Sequence, residues 1–212
     1  LNCFFLYILF PIISWQIFFA GAYSQNINYP IPKTTIVGTS NFADLLEASN
    51  LLTGLDYTNA QNWFPDFKYK KGRPKVPSYD LSIPKLDIKG ASVSTIDDNL
   101  AEHLVNYGGS STPGDKGNSV IFGHSTLPQL FNPSDYKTIF TNLYKLRVGD
   151  EVWAKVSNVS YKYKIFSITV VDPKDTSVLQ QNLNDSFLTL ITCTPPGTVW
   201  KRLIIKARLE AV

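Results

Sequence analysis

The feature that most constrains the fold is a succession of short strand-like runs from residue 79 to the C-terminus. Apolar and polar residues alternate in several runs, and Gly, Pro, Asn and Asp separate them, which is typical of β-strands joined by turns. One helix is predicted among them, over residues 98–107. Its Leu100, Leu104 and Tyr107 recur on one side. So little helix between strands argues against a doubly wound α/β fold and predicts one mostly antiparallel barrel or sandwich. The predicted strands are residues 81–83, 86–88, 119–122, 151–156, 161–171, 187–192 and 199–209.

The N-terminal segment carries no charged side chain before Lys33, and residues 3–23 are almost wholly apolar. About 20 residues at roughly 1.5 Å each match the ~30 Å hydrocarbon core of a bilayer. We therefore predict a transmembrane signal-anchor over residues 1–23, apolar all round rather than on one face. A signal peptide cleaved near Ala20-Gly21-Ala22 is the alternative. The anchor predicts a single-pass cell-membrane protein that contacts lipid through this helix, with the rest of the chain outside the cytoplasm.

The chain between the anchor and the strands is rich in Asn, Thr and Pro, and we interpret residues 24–78 as an extracytoplasmic stalk or linker. It contains one short predicted helix, residues 41–52, behind an Asn41 cap. A basic run, residues 68–75, is interpreted as a solvated linker segment. Residues 79–212 then form the third predicted unit.

Composition excludes several classes. Charged residues are 17% and hydrophobic residues 44%, too apolar for a disordered chain and too polar for a multi-span membrane protein. A net charge of +3, with no Lys/Arg block longer than Lys70-Lys71, predicts no nucleic-acid partner. Two distant histidines, two cysteines and the lack of a glycine-rich phosphate loop predict no metal and no cofactor.

Cys193 is the strongest candidate for chemistry. It follows an alternating run and precedes the strand-breaking Thr194-Pro195-Pro196-Gly197, so its thiol is expected at the end of a strand. The other cysteine, Cys3, belongs to the predicted anchor and is not available as a disulfide partner. The alternative is that Cys193 is a buried structural cysteine.

Two histidines could assist a thiol. His124 follows the predicted strand 119–122 directly after Gly123, and a neutral-range imidazole can serve as general acid or base. His103 lies on the flank of the predicted helix and is interpreted as an ordinary surface or half-buried residue. We therefore expect His124 to be the partner of Cys193.

Acyl transfer also needs a positive group for the developing oxyanion. The last predicted strand carries Lys201 and Arg202 on opposite faces, and alternation does not choose between them. Chemistry favours Arg202, because a guanidinium holds its donors in a rigid fork and stays protonated.

In this order, the motifs resemble those of the sortases, which are membrane-anchored cysteine transpeptidases. The resemblance covers residues 81–209. It is carried by Phe122-Gly123-His124, Leu190-Ile191-Thr192-Cys193-Thr194-Pro195 and Lys201-Arg202-Leu203-Ile204-Ile205, with support from residues 81–86, 113–118, 146–152 and 171–175. It implies a mainly β fold: a closed eight-stranded barrel with one or two short helices, and an active site in a groove at strand ends.

The resemblance implies roles for individual residues. Cys193 would be the nucleophile, His124 the general acid/base, and Arg202 the residue that stabilises the oxyanion or positions the substrate. We also expect Thr192, Thr194 and Trp200, which flank these residues in sequence, to bind substrate.

The implied reaction cleaves a C-terminal sorting motif resembling Leu-Pro-x-Thr-Gly through a thioester acyl-enzyme. The acceptor would be an amine of a cell-wall precursor or a pilin lysine, and the partners would be surface proteins that bear the sorting signal. Two alternatives stay open: a non-catalytic extracellular β-barrel that binds surface polymers or proteins, and a thiol endopeptidase that uses water.

One departure from the family concerns access to the site. Pilin-type sortases often carry an Asp-Pro-aromatic lid before the barrel, and the nearest string here, Pro65-Asp66-Phe67, has a different order. The sequence therefore does not predict a lid.

Overall fold

A closed eight-stranded β-barrel forms the body of the protein in the computed structural model, which describes residues 14, 57–64, 67 and 75–210. This confirms the predicted mainly β, closed-barrel fold. The strands are β1 (Ser78–Ile83), β2 (Ile88–Ser94), β3 (Leu104–Asn106), β4 (Gly117–Phe122), β5 (Glu151–Val156), β6 (Val159–Val171), β7 (Ser186–Thr194) and β8 (Lys201–Leu209).

Around the barrel the strands follow the order β1-β2-β3-β4-β7-β8-β6-β5, and β5 closes onto β1. The β2–β3 and β4–β7 contacts are parallel and the others are antiparallel. The parallel β4–β7 pair matters most for function, because it places the C-terminal ends of these two strands at the same edge of the barrel.

Apolar side chains are buried on both faces of the sheet formed by β4, β7 and β8. Leu190 and Leu203 belong to the cluster that fills the barrel. Their neighbours Ile191 and Ile204 belong to a second cluster on the outer face. β7 is buried along almost its whole length, as expected of a strand that is covered on both faces. The outer face therefore forms an apolar groove that other parts of the chain must cover.

The predicted helix over residues 98–107 is wrong. These residues form turns followed by β3, which pairs with β2 and β4. Leu104 packs inside the barrel, while Leu100 and Val105 pack in the outer cluster. Leu100 and Tyr107 are buried in the outer cluster and Leu104 in the barrel, and together the three have a spacing that also fits one face of a helix. In the ranges 57–64 and 75–210, the helices are all short 3-10 turns: Ala60–Trp63, Pro84–Leu86, Pro128–Leu130, Leu143–Lys145 and Thr176–Leu179.

The predicted strand over residues 86–88 is also displaced. Pro84 begins a 3-10 turn, and Asp87 ends it with a left-handed backbone, φ 57°. The fixed φ of proline suits the first position of such a turn. The strand therefore starts only at Ile88.

The predicted anchor over residues 1–23 and the predicted helix over residues 41–52 lie outside the described residues, apart from the isolated Ser14. Among the residues that are described, no helix has the length and apolar character needed to cross a bilayer. Part of the predicted stalk, residues 57–64, packs against the barrel.

Candidate active site

Cys193 and Arg202 are direct neighbours across the antiparallel β7–β8 pair. Paired residues project their side chains from the same face of a sheet, here the face of the outer groove. Lys201 takes the opposite orientation. It is exposed and forms an ion pair with Asp172, with 2.9 Å between Nζ and Oδ2. The register therefore places the arginine, and not the lysine, beside the thiol-bearing strand end.

His124 lies at the same edge of the barrel. Phe122, the last residue of β4, pairs with Ile191, and one more backbone bond, from Gly123 N to Ile191 O at 3.2 Å, continues the contact beyond the strand. His124 is the next residue of the chain, and Cys193 lies two residues after Ile191 on β7. The glycine between Phe122 and His124 is required by packing, because a Cβ at Gly123 would meet the Phe140 ring at 2.5 Å and Leu104 at 2.6 Å. The half-buried His124 thus starts its loop from a tightly confined backbone.

Two side-chain hydroxyls join the ends of β4 and β7. Thr192 Oγ1 donates to the carbonyl of Gly123 at 2.8 Å. Ser125 Oγ donates to the carbonyl of Cys193, also at 2.8 Å. Thr192 therefore acts on the backbone next to His124, and its hydroxyl points away from the groove that Cys193 faces.

A segment before the barrel covers the groove. We call residues 57–64 the strap. Its Asn59 caps the Ala60–Trp63 turn by accepting a hydrogen bond from Gln61 N at 2.9 Å. Two backbone bonds attach it to the barrel: Ala60 N to Asp98 O at 3.0 Å, and Leu100 N to Thr58 O at 2.7 Å.

The apolar side chains of the strap fill the outer groove. Ala60, Trp63 and Phe64 are fully buried in the same cluster as Cys193. The Trp63 and Phe122 rings meet edge to face, with centroids 5.4 Å apart. Burial of two aromatic side chains stabilises the strap on the barrel.

The strap also engages Arg202, which is 0% exposed. Arg202 Nη2 donates to the Trp63 carbonyl at 3.0 Å and Nε donates to the same oxygen at 3.3 Å. Arg202 Nη1 donates to the Val199 carbonyl at 2.9 Å. The guanidinium lies over the rings of Trp63 and Tyr57, 5.4 and 5.9 Å from their centroids.

Carbonyl oxygens and aromatic faces therefore offset the desolvation of this buried cation. Within the part of the chain that the structure describes, no carboxylate lies within ion-pair distance of Arg202.

The thiol is covered in this arrangement. Cys193 is 5% exposed, and the Trp63 ring lies 5.8 Å from the imidazole of His124, centroid to centroid. Burial raises the pKa of the Cys193 thiol, and the positive charge of Arg202 opposes this rise. We call this covered arrangement the closed state; burial in it favours the neutral thiol over the thiolate. A covering segment is present here although the lid motif sought in the sequence is not.

The other residues considered from the sequence have the following positions. Thr194 is 3% exposed and pairs with Lys201, whereas Trp200 is 60% exposed in the loop before β8. His103 precedes β3, and its Nε2 lies 2.8 Å from Asp97 Oδ1. Ser125 and Trp63 were not identified from the sequence as site residues. The burial of Trp63 had one available signal, the apolar Trp63-Phe64 pair in an otherwise polar segment.

The described residues contain no group of three or more His, Cys, Asp and Glu side chains placed to hold a metal ion. The chemistry that this edge of the barrel offers is that of a thiol, an imidazole and a guanidinium. These are the groups that covalent acyl transfer through a thioester requires.

Comparison with known proteins defines the class. Residues 75–210 match the Sortase domain. The chain is 26% identical over 187 residues to Sortase A of Bacillus anthracis, a match that spans 87% of this chain and 76% of that protein. It is 34% identical over 125 residues to Sortase A of Staphylococcus aureus (strain NCTC 8325 / PS 47), where the match covers 58% of this chain and 57% of the relative.

Comparison with solved structures leads to the same class of protein. Sortase A from Corynebacterium diphtheriae aligns with a TM-score of 0.55 and 26% identity, over 94% of this chain and 84% of that chain. A Clostridium perfringens Sortase D5 transpeptidase has the same fold, with a TM-score of 0.53, 24% identity and coverage of 93% and 99%. The chain therefore belongs to the sortase family, and it is a cysteine transpeptidase enzyme.

Proposed function

We propose that this enzyme cleaves a C-terminal sorting motif resembling Leu-Pro-x-Thr-Gly and transfers the protein to an amine acceptor at the cell surface. One observation carries the proposal: the register that pairs Cys193 with Arg202, at the barrel edge where His124 also lies. In this proposal residues 79–212 are the catalytic unit. The apolar N-terminal segment supports a single-pass membrane anchor, residues 1–23, joined to that unit by the stalk, residues 24–78.

The first half-reaction forms a thioester. The Cys193 thiol gives its proton to His124, and the thiolate attacks the carbonyl carbon of the Thr–Gly peptide bond. Arg202 donates hydrogen bonds to the carbonyl oxygen as negative charge develops there. The C–N bond then breaks, and the imidazolium of His124 returns its proton to the departing glycine amine.

The second half-reaction makes a new amide. The amine acceptor attacks the thioester carbonyl and gives a proton to His124, and Arg202 again stabilises the oxyanion. The C–S bond breaks, and the sulfur leaves as thiolate and takes back the proton. The acceptor is an amine of a cell-wall precursor or a pilin lysine, and the donors are surface proteins with the sorting signal.

The residues around this triad have separate proposed roles in substrate binding. Thr192 shapes the site through the backbone of Gly123, because its hydroxyl is committed there. Thr194 contributes through its backbone at the end of β7, since its side chain is buried. Trp200, exposed in the loop between β7 and β8, offers an aromatic surface to a bound peptide.

Substrate entry requires the strap to leave the groove. Cys193 is 5% exposed while Trp63 and Phe64 lie over the outer face, so a peptide bond has no route to the sulfur in the closed state. Arg202 donates to the Trp63 carbonyl in the closed state, so in this proposal release of the strap frees the guanidinium to donate to a substrate carbonyl.

The proposal is tested with the full chain in mild detergent and a library of peptides that contain Leu-Pro-x-Thr-Gly variants, with and without an amine acceptor. We expect intact-mass spectrometry to detect a thioester on the wild type but not on Cys193→Ala, and an amide product only with the amine. Equal behaviour of the two proteins across the library would refute the function. Exclusive formation of the free acid in the presence of amine would favour the endopeptidase.

A further inference from the structure

The loop that carries His124 is connected to the strand that carries Cys193 by a short series of hydrogen bonds. The parallel pairing of β4 and β7 ends at Phe122 and Ile191. One more backbone bond follows, from Gly123 N to Ile191 O at 3.2 Å. Beyond it the connection is made by side-chain hydroxyls, from Thr192 to the Gly123 carbonyl and from Ser125 to the Cys193 carbonyl.

These two hydroxyl bonds lie on either side of His124 in the sequence. The bond from Thr192 ends on the residue before it, and the bond from Ser125 starts on the residue after it. The His124 carbonyl itself accepts from Phe140 N at 2.9 Å, which attaches the loop to a different part of the barrel. The side-chain bonds from Thr192 and Ser125 are therefore the ones that join the backbone on either side of His124 to the strand of Cys193.

The Ser125 bond differs from the Thr192 bond because it reaches the residue that bears the thiol. This hydrogen bond is partly buried, and the residue that accepts it is 5% exposed. A carbonyl in such surroundings is less favourable without its donor, so we expect the backbone to shift when the hydroxyl is removed. A shift at this point moves His124 and Cys193 relative to each other.

We propose that Ser125 is a positioning residue for the transpeptidase reaction, fixing His124 and Cys193 at the separation that proton transfer requires. This inference rests on the proposed function of His124 and Cys193. Ser125 does not touch the reacting atoms, since its hydroxyl is committed to a backbone carbonyl. Its effect is geometric, and displacements of about 1 Å near reacting groups can lower rates about 100-fold.

The test compares Ser125→Thr with Ser125→Val. The two variants have nearly the same shape, and only threonine keeps the hydroxyl. In the detergent-solubilised full chain, with a Leu-Pro-x-Thr-Gly peptide and an amine, we expect Ser125→Thr to retain kcat within about threefold. We expect Ser125→Val to lose roughly 10- to 100-fold in kcat, with KM changed less than about twofold.

Ser111→Ala is the matched control. Ser111 Oγ also donates to a backbone carbonyl, that of Lys116 at 3.0 Å, but near the start of β4 rather than its end. We expect this variant to keep wild-type kcat. A loss as large as that of Ser125→Val would show that any hydroxyl bond to the backbone has this effect, and would overturn the positioning role.

A second measurement is independent of peptide turnover. Iodoacetamide labelling of Cys193, followed by peptide mass mapping, is recorded against pH. A thiol no longer aligned with His124 loses stabilisation of its thiolate, so the labelling profile of Ser125→Val should shift to higher pH while that of Ser125→Thr stays in place. Identical profiles and identical kcat for the two variants would refute the inference. A wild type that forms no thioester would instead refute the proposed function.

Discussion

Arg202 donates two hydrogen bonds to the backbone carbonyl of Trp63, from Nη2 at 3.0 Å and from Nε at 3.3 Å. The same tryptophan ring lies 5.8 Å from the His124 ring, and its side chain is buried in the cluster that contains Cys193. Trp63 thus contacts Arg202 and His124, two of the three proposed catalytic residues, and packs in the same cluster as the third, Cys193. Access to the site is therefore coupled to the docking of the strap.

The first prediction concerns this access. Trp63→Ala removes a fully buried aromatic side chain, a change that costs about 3–5 kcal/mol where the side chain packs in a core. Because the strap is joined to the barrel by few backbone bonds, we expect strap release rather than barrel unfolding. The rate of iodoacetamide labelling of Cys193 should rise at least about 10-fold, since 1.4 kcal/mol corresponds to a factor of ten.

The control is Trp153→Ala on β5, whose indole Nε1 bonds to Glu151 on the same strand. We expect no acceleration of labelling in that variant. Thermal unfolding should show that both variants keep a cooperative barrel transition. If labelling of Trp63→Ala is as slow as in the wild type, the strap does not control access.

The second prediction concerns how the labelling of Cys193 and the docking of the strap depend on pH. Burial under the strap raises the pKa of the Cys193 thiol, so the closed state disfavours the thiolate. The docking of the strap is then fully favourable below the ordinary pKa of the thiol and weakens as the pH rises above it. We expect Trp63→Ala to shift the pH profile of Cys193 labelling to lower pH. A shift to higher pH would mean that burial is not what controls the thiol.

The third prediction separates two adjacent basic residues. Arg202→Ala removes the proposed oxyanion donor and should lower kcat/KM about 100- to 1000-fold. Lys201→Ala removes only an exposed ion pair with Asp172, worth at most about 1 kcal/mol, and should stay close to wild type. Initial rates with the sorting-motif peptide measure both. Equal losses in the two variants would contradict the assignment.

Much of the barrel could be predicted from the sequence because alternation is a local property. The run over residues 151–156 matches β5 at both ends. The predictions for β4, β6 and β8 have the correct last residue and a start displaced by two residues, and the prediction for β7 is too short at both ends. The helix over residues 98–107 failed for a physical reason. Leu100 and Leu104 have helical spacing but pack in two different clusters, on opposite faces of the sheet.

The sequence indicated which residues form the site, but not how the strands that carry them are aligned. The sequence indicated that Lys201 and Arg202 face opposite ways, but the pairing of Cys193 with Arg202 depends on how two strands align. The docking of the strap on the barrel could not be predicted from the sequence. Trp63 and Arg202 are 139 positions apart, and no local pattern connects a tryptophan in a predicted stalk with an arginine on the last strand.

The last prediction concerns the two described histidines. His103 contacts Asp97 through Nε2 and the Leu104 carbonyl through Nδ1, in the turn before β3. His124 instead follows β4 at the edge where Cys193 lies. His103→Gln should therefore leave thioester formation within about twofold of the wild type, whereas His124→Gln should slow it roughly 100- to 10,000-fold by removing the acid and base. Both rates are measured by intact mass after rapid mixing with the peptide, and thermal unfolding checks that both variants are folded. Loss of the thioester in a folded His103→Gln, with His124→Gln still active, would reassign the catalytic histidine.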